Sequence, residues 1–166
     1  FFIMSSCIFI ACTSDKKGGI SEKAQKNLDA MHGISKAIET GDMSKLGDYL
    51  AEDVIDYAAE GGPAKGFENV KTELIKFTQY ADNMKTEVIK ELADDDYVMC
   101  WMRFTGTMKI DQMGMKKGDT YNTTTLDVSK FNADSKAIEH WTFVEPAEMA
   151  KMMMATTSEP AEKKKK

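Results

Sequence analysis

The chain has 166 residues, 42% of them hydrophobic and 30% charged, and carries a formal net charge of −5. That length and balance suit one globular domain with appendages and exclude a fibrous or wholly disordered chain. The one long basic run, Lys163–Lys166, sits on the tail, so a nucleic-acid partner is not expected; phosphate recognition needs a clustered Lys/Arg face.

The chain opens on an apolar run, Phe1-Phe2-Ile3-Met4-Ser5-Ser6-Cys7-Ile8-Phe9-Ile10-Ala11-Cys12, and turns polar at Thr13-Ser14-Asp15-Lys16-Lys17. Such a run is too short to span a bilayer and has the length of a signal-peptide apolar region. Phe9-Ile10-Ala11-Cys12 resembles a bacterial lipobox, in which a small residue precedes the Cys that is lipidated. The resemblance implies a signal peptide over residues 1–11 whose charged start lies upstream, a lipidated Cys12, and a tether through residue 20. It also implies an address in the bacterial cell envelope, with membrane contact only through the lipid. A plain secretory signal or a short membrane-proximal segment is the alternative. Cys7 would leave with the signal and Cys12 would carry lipid, so Cys100 has no intramolecular disulfide partner. In its apolar strand Cys100 reads as a small buried hydrophobe.

Ile20, Ala24, Leu28, Met31, Ile34 and Ile38 recur at steps of three and four and predict a helix from Ser21 to Thr40. Gly41 suits its stop, and Asp42 can cap a short second helix from Met43 to Leu50. Asp53–Tyr57 reads as a strand, broken by Glu60-Gly61-Gly62-Pro63. A third helix follows over Phe67–Ala81, with Phe67, Val70, Leu74, Phe77 and Ala81 on one face. Strands are predicted at Thr86–Leu92, Tyr97–Ile110, Thr120–Phe131 and Lys136–Val144, joined by polar turns. Ala147–Met154 reads as a short Met-rich helix, which ends a domain of residues 21–155. Residues 156–166 form a low-complexity tail expected to be disordered. Helices first and a strand meander last is an α+β plan, with a long curved antiparallel sheet packed on three helices. In Tyr97–Phe104 both alternating sets lean apolar: Val98, Cys100, Met102 and Phe104 on one face, Tyr97, Met99, Trp101 and Arg103 on the other. The helices can cover one face; the other needs a partner such as a second subunit.

Four segments in order, Leu50-Ala51-Glu52-Asp53-Val54, Gly66-Phe67-Glu68-Asn69-Val70, Thr105-Gly106-Thr107 and Ala137-Ile138-Glu139-His140-Trp141, resemble the NTF2-like superfamily and its SnoaL-like group over residues 24–145. The resemblance implies a cone-shaped fold with a pocket at its open end. It also implies a homodimer through the outer sheet face, where Tyr97, Met99, Trp101 and Arg103 would lie. In SnoaL-like cyclases a His follows the Thr-Gly-Thr turn, and here that position is Met108. Their acid/base Asp follows the closing Trp by four residues, and here that position is Glu145. Ketosteroid-isomerase-like members carry an Asp base at the end of the first strand; Ala58 stands there, with Asp56 two residues before it.

The candidate catalytic residues are therefore Glu145 and Asp56. Glu145 is either a base at the pocket mouth or a solvated strand-end acid, and Asp56 either a base or a surface residue of a half-exposed strand. The expected pocket wall is Val54, Asp56, Phe67, Val70, Met102, Phe104, Met108, Trp141 and Phe143. That set suits a small apolar ligand and equally describes a packed core. His140 has opposite strand parity to Trp141 and reads as structural or interfacial; His32 reads as structural. The two His stand far apart with no ligand-spaced acids or thiols, and Asp94-Asp95-Asp96 lacks the spacing of a calcium loop, so no metal is expected. No dinucleotide or phosphate-loop motif is present, and no cofactor is expected. Two functions follow as expectations. One is an envelope-anchored domain binding a small apolar molecule or serving as a dimeric scaffold. The other is a cyclase, isomerase or hydrolase-type enzyme with a carboxylate general acid/base.

Overall fold

In the computed structural model, residues 19–112 and 114–150 are described. Cys12, its signal and tether through residue 18, and the tail from residue 151 lie outside them. Helix α1 (Glu22–Thr40) starts where the Ser21 hydroxyl accepts the Ala24 N–H at 3.0 Å and stops at Gly41, whose φ of 72° suits a residue without Cβ. Its stripe of Ala24, Leu28, Met31 and Ala37 is buried. Helix α2 (Leu46–Tyr49) is a single turn, shorter than the sequence predicts, because strand β1 (Leu50–Asp56) begins directly after it. A two-residue strand β2 (Ala64–Lys65) folds back on β1 before helix α3 (Phe67–Tyr80).

Strand β3 (Ala81–Ala93) starts the moment α3 ends and is longer than predicted; Ala81 and Asp82 already pair with Met108 and Thr107. Strands β4 (Tyr97–Met108), β5 (Thr120–Phe131) and β6 (Ala137–Val144) follow as an antiparallel meander. The sheet runs β2-β1-β6-β5-β4-β3. It is mixed rather than antiparallel throughout, because β1 and β6 pair in parallel. A parallel pair needs a long crossover, and here α3 and the whole meander supply it.

Leu28, Met31, Leu46, Val54, Val70, Val98, Met102 and Phe131 form the core between the helices and the concave sheet face. Strand β4 alternates as its sequence predicts, with Val98, Cys100 and Met102 buried, Met99 and Trp101 exposed. Strand β6 does not. Phe131 pairs with Ala137 and Lys130 with Glu139, so Ile138 is an extra residue and the register shifts. This bulge reverses the parity of everything after it.

Candidate functional site

The bulge at Ile138 decides the site. Without it, Trp141 and Phe143 would share the inward face with Ala137. With it, His140 turns inward, paired across β5 with Ser129 and across β1 with Asp56. The expected pocket positions of Trp141 and Phe143 are thus corrected. Trp141 stacks on Tyr57 on the convex face, with ring centroids 5.1 Å apart and planes 6° from parallel, and Phe143 is 55% exposed. His140, expected from the sequence to be structural or interfacial, lines an internal cavity.

That cavity, of about 60 Å³, lies between α1, α3 and the concave sheet. Met31, Ile34, Leu74, Val54, Val70 and Phe104 give it an apolar wall, and Asp56, Asp127, Ser129 and His140 its polar floor. The other expected wall residues stand elsewhere. Phe67 packs against the core at the start of α3, and Met108 is buried at the far end of β4. Met102 faces a separate cleft of about 150 Å³ between α1 and β3, which it shares with His32, Lys36, Glu39, Val88 and Cys100. Beside that cleft His32 meets Glu91 at 2.7 Å. Burial, with Glu91 and Asp127 nearby, pushes the Cys100 thiol up to about 12, so it is no nucleophile at neutral pH.

Glu145 is exposed, one residue beyond β6, where its carbonyl accepts the Met149 N–H at 3.0 Å and opens a helical turn at residues 146–150. It stays outside the cavity because β6 ends before it. Asp56 does point into the cavity, and only 6% of it is exposed. Its Oδ1 accepts the Ala58 N–H at 2.9 Å and lies 2.9 Å from His140 Nδ1. On the other side of the ring, His140 Nε2 stands 3.7 Å from Asp127 Oδ2, while Asp127 Oδ1 accepts the Thr125 hydroxyl at 3.0 Å. The reading of the sequence missed Asp127. Its signal was the polar set Thr125, Asp127 and Ser129 at alternate positions of a strand whose other face carries Leu126 and Val128.

The electrostatics follow from this geometry. Burial by itself disfavours the imidazolium, but the carboxylates of Asp127 and Asp56 raise His140 to about 9. Burial likewise works against ionised Asp56, yet the hydrogen bond and charge of His140, with the Ala58 N–H, hold it below the ordinary carboxylate range. At neutral pH the floor is an imidazolium between two carboxylates, set in an apolar cavity, with 27% of the His140 side chain exposed. Among the described residues no group of three or more His, Cys, Asp or Glu is placed to hold a metal ion, and no helix is long and apolar enough to cross a membrane.

On the convex face Trp101 lies opposite Leu126, and Leu126 opposite Phe143. Met99, next in the same face of β4, lies opposite Leu92 and Val128. Leu92 is 61% exposed, Trp101 45% and Met99 42%. Arg103 at the rim pairs with Glu87 at 2.8 Å, and Tyr97 is half-buried opposite Lys130. The four positions Tyr97, Met99, Trp101 and Arg103 thus share this face as expected, within an apolar strip four strands wide.

Comparison with known proteins places this geometry. Residues 28–152 match the family model of the SnoaL-like polyketide cyclases. No curated protein matches. Among solved structures, a candidate SnoaL-like polyketide cyclase from Jannaschia sp. CCS1 superposes with a TM-score of 0.68 at 16% identity, covering 86% of this chain and 99% of that one. IdmH from Streptomyces antibioticus, described as a candidate polyketide cyclase, gives 0.60 at 23% identity over 77% of this chain and 98% of its own. AclR from Streptomyces galilaeus, described as a candidate hydroxylase, gives 0.63 at 16% identity over 79% and 98%. At these identities the likeness is one of fold, and the different chemistries in those descriptions leave the reaction to the residues of the site.

Proposed function

Because the chain belongs to the SnoaL-like polyketide cyclase family, we propose that its cavity binds the polar end of one small, mostly apolar molecule and moves a proton on it. Asp127 and His140 face the ligand, and Asp56 is the positioning residue that holds His140. The observation that carries this reading is the charged trio, two buried carboxylates about a half-buried imidazolium, on an apolar wall. Apolar residues of similar volume in place of a buried ion pair are often neutral or stabilising by about 1–4 kcal/mol. A scaffold with a closed core has no use for such a trio, whereas a proton-transfer site does. In that chemistry Asp127 Oδ2 takes a proton from the ligand as its C–H or O–H bond breaks. The electron pair stays on the ligand, and the Nε2–H of the His140 imidazolium stabilises the resulting oxyanion.

The cavity of about 60 Å³ is well below the roughly 300–1,000 Å³ of pockets that enclose a whole drug-sized ligand, so it takes a head group and not a polyketide. The body of a ring-bearing or enol-forming molecule would need Met31, Ile34 and Leu74 to move, and the flexible thioether of Met31 suits that. The test is a ligand-observed NMR screen of small cyclic ketones, enones and phenols against the wild type and His140→Gln. The reading expects fragments that bind the wild type and are lost in the variant while its far-UV CD stays native. Absence of any hit, or hits indifferent to His140, would remove it.

Two further parts of the reading rest on separate observations. The exposed strip around Trp101 supports a homodimer through the convex face, as in an isologous sheet-to-sheet contact. The segment Phe9-Ile10-Ala11-Cys12 supports lipid anchoring in the bacterial envelope. Cys12→Ser is expected to abolish incorporation of labelled fatty acid and membrane retention in a bacterial host; unaltered labelling would refute the anchor.

A further inference from the structure

Each carboxylate of the trio keeps one oxygen without a hydrogen bond, Asp56 Oδ2 and Asp127 Oδ2, and the second stands beside the outer nitrogen of His140, both residues lining the cavity. The Nδ1 side of His140 is taken by Asp56, itself fixed by the Ala58 N–H. One oxygen of Asp127 is taken by the Thr125 hydroxyl, and the Ser129 hydroxyl is directed at Met31 Sδ, 3.5 Å away. The donor and acceptor that stand side by side are His140 Nε2 and Asp127 Oδ2, 3.7 Å apart. That is longer than a direct N–H···O bond of about 2.7–3.2 Å and too short to admit an atom on the line between them. A single ligand atom set to one side, on the cavity side, reaches both at about 2.8 Å.

We infer that this pair recognises a hydroxyl group, so that the ligand is an alcohol, enol or phenol with a small apolar body. The inference rests on the pocket reading above and narrows it to one class of molecule. A hydroxyl oxygen accepts from His140 Nε2–H and donates its own hydrogen to Asp127 Oδ2, which satisfies both groups. A ketone or nitrile accepts from His140 and leaves Asp127 Oδ2 without a hydrogen-bond donor. An ammonium pairs with Asp127 but meets the imidazolium with like charge and offers it no acceptor. A carboxylate meets Asp127 in the same way and offers it no donor. A water molecule is the small competitor of the same chemistry, and an alcohol differs from it by the apolar body that Ile34, Val70 and Phe104 can cover.

The experiment titrates the full chain, ¹⁵N-labelled at histidine, with three probes of three heavy atoms each: ethanol (donor and acceptor), acetonitrile (acceptor only) and ethylammonium (donor only). The readout is the His140 Nε2 resonance. Ethanol is expected to shift it with an apparent Kd about fivefold or more below either other probe. In Asp127→Asn the advantage of ethanol over acetonitrile is expected to shrink below about twofold, with the amide spectrum otherwise native. The wild-type comparison stands alone if that variant does not fold. Equal binding of ethanol and acetonitrile would overturn the hydroxyl assignment and leave the pocket reading standing. Tightest binding of ethylammonium would also overturn it, in favour of a cation site. A His140 resonance that no probe moves would overturn both readings together.

Discussion

On the concave face of β4–β6 the strands set Asp127, Ser129 and His140 among Met31, Ile34 and Phe104, whereas on the convex face the same strands hold Trp101, Leu126 and Phe143 out to solvent. Each face carries a cluster of the residue type usually found on the other. Buried charge without function is costly and exposed contiguous apolar surface without a partner is hazardous, which is why the proposal above assigns a ligand to one face and a partner to the other. On the reading proposed above, the two differ in what would complete them: a small molecule or proton inside, a second protein surface outside.

The comparison breaks first at His140. Replacing it by Ala leaves Asp56 and Asp127 facing each other without their cation, and the loss is expected to be about 3 kcal/mol in urea unfolding. A loss under about 1 kcal/mol would mean the trio is solvated and not a buried network. Next is the convex face. Trp101→Glu places a charge in the strip and is expected to weaken the proposed dimer at least about thirtyfold by sedimentation, with the monomer's Tm little changed. A variant that still sediments as a dimer at the wild-type concentration would move the interface elsewhere.

The inner face should also carry a pH signature that the outer lacks. The folded-state pKa of His140, about 9, lies above its ordinary 6.5. Its contribution is therefore complete below about pH 6.5 and is lost as pH rises through 9, a fall of roughly 2 kcal/mol once the exposed quarter of the ring is discounted. Asp56 is held below its ordinary 3.8, so its contribution is complete above that pH and is lost as pH falls below it. Stability is thus expected to be flat from about pH 4 to 6.5 and to decline on the alkaline side, a decline absent from His140→Gln; an unchanged alkaline limb in that variant would assign it to other groups. The smallest effect belongs to the convex stack. Tyr57→Ala removes the ring lying on Trp141 and is expected to cost about 1 kcal/mol, with no change in the pH profile. A changed profile would show that the two faces are coupled through β1.

Much of this fold was legible in the sequence because its signals are local. The three- and four-residue steps of α1, the stop at Gly41 and the alternation of Val98, Cys100 and Met102 each depend on a few neighbouring residues. The order of motifs then fixed the family. The site was harder to read because it depends on one unpaired residue. Counting by twos from Ala137 puts Trp141 inside; the bulge at Ile138 puts His140 there instead, and no local residue type announces a bulge. Asp127 was missed for a related reason: Leu126 and Val128, the apolar half of the strand, face outward toward the strip, so hydrophobic alternation pointed the wrong way. Asp56 was visible as a candidate, but its partner comes from β6, 84 positions later, through a parallel pairing that the strand order alone does not give.

The central claim is that His140 is held as a cation by two carboxylates inside an apolar cavity. An NMR titration of the His140 ring in the wild type and in Asp127→Asn tests it most directly. The account expects a pKa near 9 that falls in the variant. A wild-type His140 that titrates at or below its ordinary 6.5 would contradict it.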